Sequence, residues 1–186
     1  MGVLTVNDYW LNVALVIALV ILNGLLSGSE AAFISLREGQ LRELAHHGGR
    51  RSRAAVRLAR EPNRYLTTIQ LGITLAGFFA SATAAVTLAQ PLTGLLSFLG
   101  PAAAPGVSVA AVTVVVAGVT LVAGELAPKR LGMQYARRWA VVAAAPLTAL
   151  STVAAPVAWV LSRATDLVVR ILGGDPAVGR EEATVD

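Results

Sequence analysis

The sequence predicts an all-α integral membrane protein, and three observations carry that prediction. Of 186 residues, 55% are hydrophobic and 14% charged, and the mean hydropathy is +0.67. A soluble domain carries charge on about a quarter of its residues. The apolar residues are also gathered into long uncharged runs: 21 residues at 9–29, then sixty at 65–124 without one Asp, Glu, Lys, Arg or His. A helix crossing a bilayer needs roughly 20 such residues. Finally, the bases cluster between the runs, with eight arginines over 37–64 and four bases over 129–138. Basic residues beside span ends are retained on the cytoplasmic face.

The same composition excludes several classes of function. The net charge is +4, but the bases flank spans and carry no aromatic interleaving, so a nucleic-acid partner is not expected. With no cysteine there is neither a disulfide framework nor a thiolate metal site. An enzyme is not expected either. The chain has no nucleophile elbow, no His-Glu-x-x-His and no phosphate-binding glycine loop. Its only histidines, His46 and His47, are adjacent and would point about 100° apart on a helix. No cleavable signal peptide is expected, because the start lacks a basic segment and its apolar run is long enough to span.

Asp8 is an acceptable N-cap for the first span, and Tyr9 and Trp10 are placed as an interfacial anchor. The span is expected at about residues 9–36. Residues 37–60 read as one or two helices on the inner leaflet, drawn to membrane lipid. Their apolar faces are Leu41, Leu44 and Ala45, then Ala55, Leu58 and Ala59, with Gly48 and Gly49 between them. Pro62 restarts a helix near its first turn, with Arg64 at the membrane face.

The sixty-residue run is too long for one helix and suits two, at about 64–89 and 107–127. Between them, residues 90–101 are too apolar for a free loop and read as a short helix dipping into the outer leaflet. Residues 139–162 are again uncharged, and hydropathy alone favours a fourth span there. Pro146, Pro156 and the amphipathic sequel also suit broken helices along the inner leaflet. Residues 173–186 read as a linker.

Polar residues recur inside the spans at helical spacing. Asn23, Ser27 and Glu30 fall at i, i+4 and i+7 on one face of the first span, and Gln70, Thr74, Gly77 and Ser81 form a similar stripe on the second. Thr113, Thr120, Gly124 and Glu125 form a looser set on the third. Such stripes enclose oxygens suited to a hard cation such as Mg²⁺ or Na⁺. The competing reading is that the hydroxyls bond their own helices, that Gly24-x-x-x-Gly28 is a packing or dimer face, and that Glu30 pairs with an arginine. For Glu125 function is favoured over a plain salt bridge to Lys129, because Pro128 frees the carbonyl of Gly124, four residues back, beside that carboxylate.

Three stretches then point to one family: Asn-Gly-Leu-Leu-Ser-Gly-Ser-Glu-Ala-Ala-Phe-Ile-Ser at 23–35, Glu-Pro-Asn-Arg-Tyr-Leu-Thr-Thr-Ile-Gln-Leu-Gly-Ile-Thr-Leu-Ala-Gly at 61–77 and Gly-Glu-Leu-Ala-Pro-Lys at 124–129. Together they resemble the transmembrane domain of the CorC/CNNM family of magnesium transporters. The resemblance implies a transmembrane domain over 1–172, with three spans per protomer and a juxtamembrane belt of amphipathic or broken helices at about 134–172. The fourth span is thereby replaced by the belt.

The resemblance further implies a homodimer in the plasma membrane, with the N-terminus outside and the C-terminus leading to a cytosolic CBS-pair module. It implies export of Mg²⁺, coupled to Na⁺ entry. The metal site it implies falls on Asn23, Ser27 and Glu125, and the Gly124 carbonyl freed by Pro128 is expected to join it. Gly77 and Ser81 stand in for a second-span asparagine whose aligned position is near Ile73. Pro128, Lys129, Glu30 and Thr74 support that site. A passive divalent-cation channel and a non-transporting membrane scaffold are the alternatives.

Overall fold

The computed structural model describes residues 6–175, and every regular element among them is helical. The elements are α1 (Val6–Ile34), α2 (Glu38–His47), α3 (Arg50–Arg60), α4 (Pro62–Leu95), a 3₁₀ turn (Ser97–Leu99), α5 (Ala104–Leu121), a π-helical turn (Val122–Leu126), α6 (Ala127–Gln134) and α7 (Ala136–Ile171). Most of the expected linker, residues 176–186, lies outside the described residues. Among the described residues, four helical stretches are long and apolar enough to cross a membrane: Asn7–Ile34, Tyr65–Leu95, Ala104–Gln134 and Ala136–Ile171.

The chain forms two compact units. One runs through Ala31 and resumes over Gly72–Gln134; the other comprises Ala32–Leu71 and the chain from Tyr135 onwards. In the first, Ala84, Ala89, Val112 and Val116 are buried together, with Val16, Leu88 and Leu92 packed against them. Ala84 and Ala89 let the helices approach closely there, where lipid provides no hydrophobic drive. Ile17, Phe78, Phe79, Val114 and Val115 are exposed, an outward apolar surface suited to acyl chains.

The second unit is built differently. Leu41, Leu44 and Val56 are buried together, with Leu36, Ala59 and Val141 around them, and α3 packs against α7. The buried face of α7 is Ala136, Ala140, Ala143, Ala144, Leu147 and Ser151, a stripe at helical spacing. Phe33 and Tyr65 stack at 5.1 Å between ring centroids. Arg137 pairs with Glu43 at 2.9 Å, and the Gln40 side chain accepts the Arg37 backbone N–H at 3.0 Å where α2 begins.

Helix limits differ from the expected span limits in three places. The second long helix does not stop near residue 89; α4 runs to Leu95 with Pro91 inside it, and only the 3₁₀ turn follows in place of a separate dipping helix. The third helical stretch begins at Ala104 and reaches Gln134 instead of ending near 127. Most clearly, α7 is one 36-residue helix through Pro146 and Pro156, not a set of broken helices. Each proline removes one N–H, while the neighbouring turns stay helical. Side-chain hydroxyls of Thr148, Ser151 and Thr152 also bond back to Ala144, Leu147 and Thr148 carbonyls at 2.7, 2.6 and 3.0 Å.

Candidate functional site

The backbone around Pro128 determines the site. Proline has no N–H for the carbonyl four residues earlier, and the chain accommodates its ring with a π turn in which the Ala127 N–H reaches the Val122 carbonyl. The Gly124 carbonyl, which Pro128 leaves free, accepts a hydrogen bond from Asn23 Nδ2 at 3.0 Å. Only the amide nitrogen of Asn23 can face a carbonyl, so its Oδ1 points elsewhere, and that oxygen is buried without a partner.

Small residues bring α1 to this turn. A Cβ on Gly124 would lie 3.2 Å from Asn23 Nδ2 and 3.3 Å from the Val20 carbonyl, and a Cβ on Gly24 would lie 3.0 Å from Pro128 Cγ. One turn on, a Cβ on Gly132 would collide with the Gly28 carbonyl. The Gly24-x-x-x-Gly28 pair is therefore a seam against α6 within the chain.

Ser27 lies between those two contacts. It is 0% exposed, and its Oγ has no hydrogen-bond partner, whereas Ser29 Oγ donates to the Leu25 carbonyl at 2.6 Å. Most buried hydroxyls find a partner, so an orphan is informative. Thr120 Oγ1 is a second buried, unpartnered hydroxyl; its methyl would lie 3.4 Å from a Cβ on Gly124. Thr120 belongs to the looser polar set expected on the third span but not to the metal site that the resemblance implies. Its position four residues before Gly124 was the available signal.

The charged members form a chain of contacts. Lys129 Nζ donates to Glu125 Oε1 at 3.0 Å and lies 3.3 Å from Glu30 Oε2. The second contact is an ion pair without hydrogen-bond geometry, since Glu30 Oε2 is buried and makes no hydrogen bond. The expected arginine partner of Glu30 is thus replaced by Lys129, whose helix the glycine seam holds against α1. Glu125 makes the salt bridge that was weighed against function, and its contact with Lys129 coexists with the orphaned oxygens nearby.

Helix α4 contributes less. It meets α1 at Gly72, where a Cβ would lie 2.7 Å from Leu26 Cδ1. A Cβ on Gly77 would meet nothing within 4 Å, Ser81 is half-buried, and Thr74 is exposed. The structure joins Asn23 to Gly124 and Lys129 to both Glu30 and Glu125, sets Pro128 against Gly24 and Thr120 beside Gly124, and buries Ser27 on α1. Asn23 Oδ1, the two free hydroxyls and the carboxylates are hard oxygen donors without nitrogen or sulfur ligands, the chemistry of a hard cation. Among the described residues no three His, Cys, Asp or Glu gather into a metal cluster, so any ion here leans on neutral oxygens.

A family model described as CNNM, the cyclin M transmembrane N-terminal domain, matches residues 14–186. The UPF0053 protein sll0260 of Synechocystis sp. is 35% identical over 161 residues, covering 85% of this chain and 36% of that protein. The UPF0053 inner membrane protein YfjD of Escherichia coli is 28% identical over 147 residues, covering 79% and 32%. The UPF0053 protein YhdT of Bacillus subtilis is 28% identical over 161 residues, covering 86% and 35%. The chain spans about a third of the length of these curated relatives.

Proposed function

The chain belongs to the cyclin M transmembrane N-terminal domain family, and from that membership we propose that it is the membrane module of a magnesium exporter coupled to Na⁺ entry. The observation that carries the reading is the buried Asn23 to Gly124 bond, which ties α1, with its buried and unpartnered Ser27 hydroxyl, to the proline-freed turn in which Glu125 lies. Mg²⁺ dehydrates reluctantly and demands oxygen ligands. One carboxylate with neutral oxygens holds such an ion modestly, which suits release.

In this reading α1, α4 and the stretch Ala104–Gln134 cross the plasma membrane, with the N-terminus outside. Helix α7 stays along the inner leaflet, which its packing against α3 supports. Helix α3 carries five arginines, and a helix so charged does not enter hydrocarbon. The protomer works as a homodimer, and its C-terminus leads into a cytosolic CBS-pair module. Gly77 and Ser81 supply second-span oxygens once that helix closes on the ion.

Glu125→Gln tests the reading. In proteoliposomes loaded with Mg²⁺, the unmodified chain releases Mg²⁺ faster under an opposing Na⁺ gradient, and the variant does not. Gradient-independent efflux indicates a passive channel instead. An unmodified chain that gives no calorimetric heat with millimolar Mg²⁺ is a scaffold.

A further inference from the structure

Lys129 is the only lysine in the chain; the other fourteen of its 15 Lys plus Arg residues are arginine. Arginine is the base for fixed, forked contacts, whereas lysine is a compact point charge on a flexible stem. The one lysine stands between two carboxylates, 3.0 Å from Glu125 and 3.3 Å from Glu30. We propose that Lys129 is a tethered counter-cation that occupies Glu125 when the transported divalent ion is absent and steps to Glu30 when that ion arrives. This rests on the reading of Glu125 as part of the ion's site.

The geometry supplies each part of the exchange. The backbone of α6 packs closely on α1 on either side of Lys129, where Gly24 meets Pro128 and Gly28 meets Gly132, so the exchange needs no movement of the helix. Only the side chain moves. Its two acceptors differ: Glu125 already takes a hydrogen bond, while Glu30 Oε2 is buried and takes none. A second carboxylate with unmet accepting capacity is thus within reach of the same ammonium.

Charge balance gives the consequence. Two carboxylates and one ammonium leave one negative charge, and a divalent ion turns the cluster one positive. Without Lys129 the ion and two carboxylates would be neutral. The ammonium therefore repels the ion at short range and keeps its affinity low enough for release.

The test uses the whole chain in nanodiscs, with Mg²⁺ as the probe. Lysine labelled with ¹³C at Cε yields one side-chain signal, because there is one lysine. That signal is expected to move saturably as Mg²⁺ is added and to stay still in Glu125→Gln. By calorimetry, Lys129→Gln binds Mg²⁺ about tenfold more tightly, a close like charge having been removed. Lys129→Arg keeps the ion pair and guards against misfolding; its forked guanidinium holds Glu125 harder, so Mg²⁺ binds more weakly than in the unmodified chain. Glu30→Gln weakens Mg²⁺ binding several-fold more in the unmodified chain than in the Lys129→Gln background, where only its longer-range charge is lost.

Weaker or unchanged affinity in Lys129→Gln overturns the proposal, as does equal loss from Glu30→Gln in both backgrounds, which would put Glu30 on the ion itself. Mg²⁺ heat with an unmoved lysine signal overturns this proposal alone. No heat from the unmodified chain removes the ion-site reading and this one with it.

Discussion

Asn23 donates its side-chain amide to the Gly124 carbonyl at 3.0 Å across 101 residues of sequence, and Asn23 is 3% exposed. Removing the donor leaves the carbonyl buried and unbonded, because Pro128 has no N–H to return to it. Asn23→Leu is expected to lower stability by about 1–3 kcal/mol, read as a reduced melting temperature in detergent. An unchanged melt would mean that water replaces the amide.

Ser27→Ala separates binding from folding. Its hydroxyl is buried and bonds nothing, so taking it away relieves an unmet polar group, and stability should stay level or rise by up to about 1 kcal/mol. Mg²⁺ affinity by calorimetry should fall. A lower melting temperature with unchanged affinity would make Ser27 a packing residue.

The glycine seam predicts an order of severity. Gly132→Ala sets a methyl against the Gly28 backbone, which has nowhere to go, whereas Gly24→Ala meets the edge of the Pro128 ring at 3.0 Å. Overpacking of this kind costs about 1–3 kcal/mol, with Gly132→Ala at the upper end and Gly24→Ala at the lower. Melting of the two variants side by side checks the order.

In the second unit, packing should outweigh charge. Arg137 and Glu43 are about half exposed, and such pairs contribute about 0–1 kcal/mol. Ala140 is 0% exposed on the buried stripe of α7. Ala140→Leu is therefore expected to loosen this packing more than Arg137→Ala does. Hydrogen exchange of the α3 amides measures both.

What could be read from sequence divides by range. Pro128 and the carbonyl it frees are four residues apart, so the proline rule located an acceptor without any fold. The donor that claims it lies 101 residues away, and no local rule reaches that far. Gly24 and Gly28 announced a close-packed face, yet their partners Pro128 and Gly132 are equally remote. Helix α4 passing Pro91 and α7 passing two prolines were illegible for another reason. Proline statistics weigh the lost hydrogen bond against water, and an apolar setting changes that balance. Glu30 was read toward arginines because they follow it in sequence, whereas its partner is the single lysine on α6.

The π turn at Val122–Leu126 also bears on how the chain can vary. A π turn is an α-helix with one residue inserted, so the faces before and after it are offset by one position. That is why Thr113 and Thr120 looked loosely aligned with Glu125. Deleting one residue within the turn would keep the downstream phase, and the glycine seam with it, but would set the Pro128 ring against the carbonyl four residues back that the wide turn now clears. A chain one residue shorter here therefore suits a regular helix only where another residue replaces Pro128.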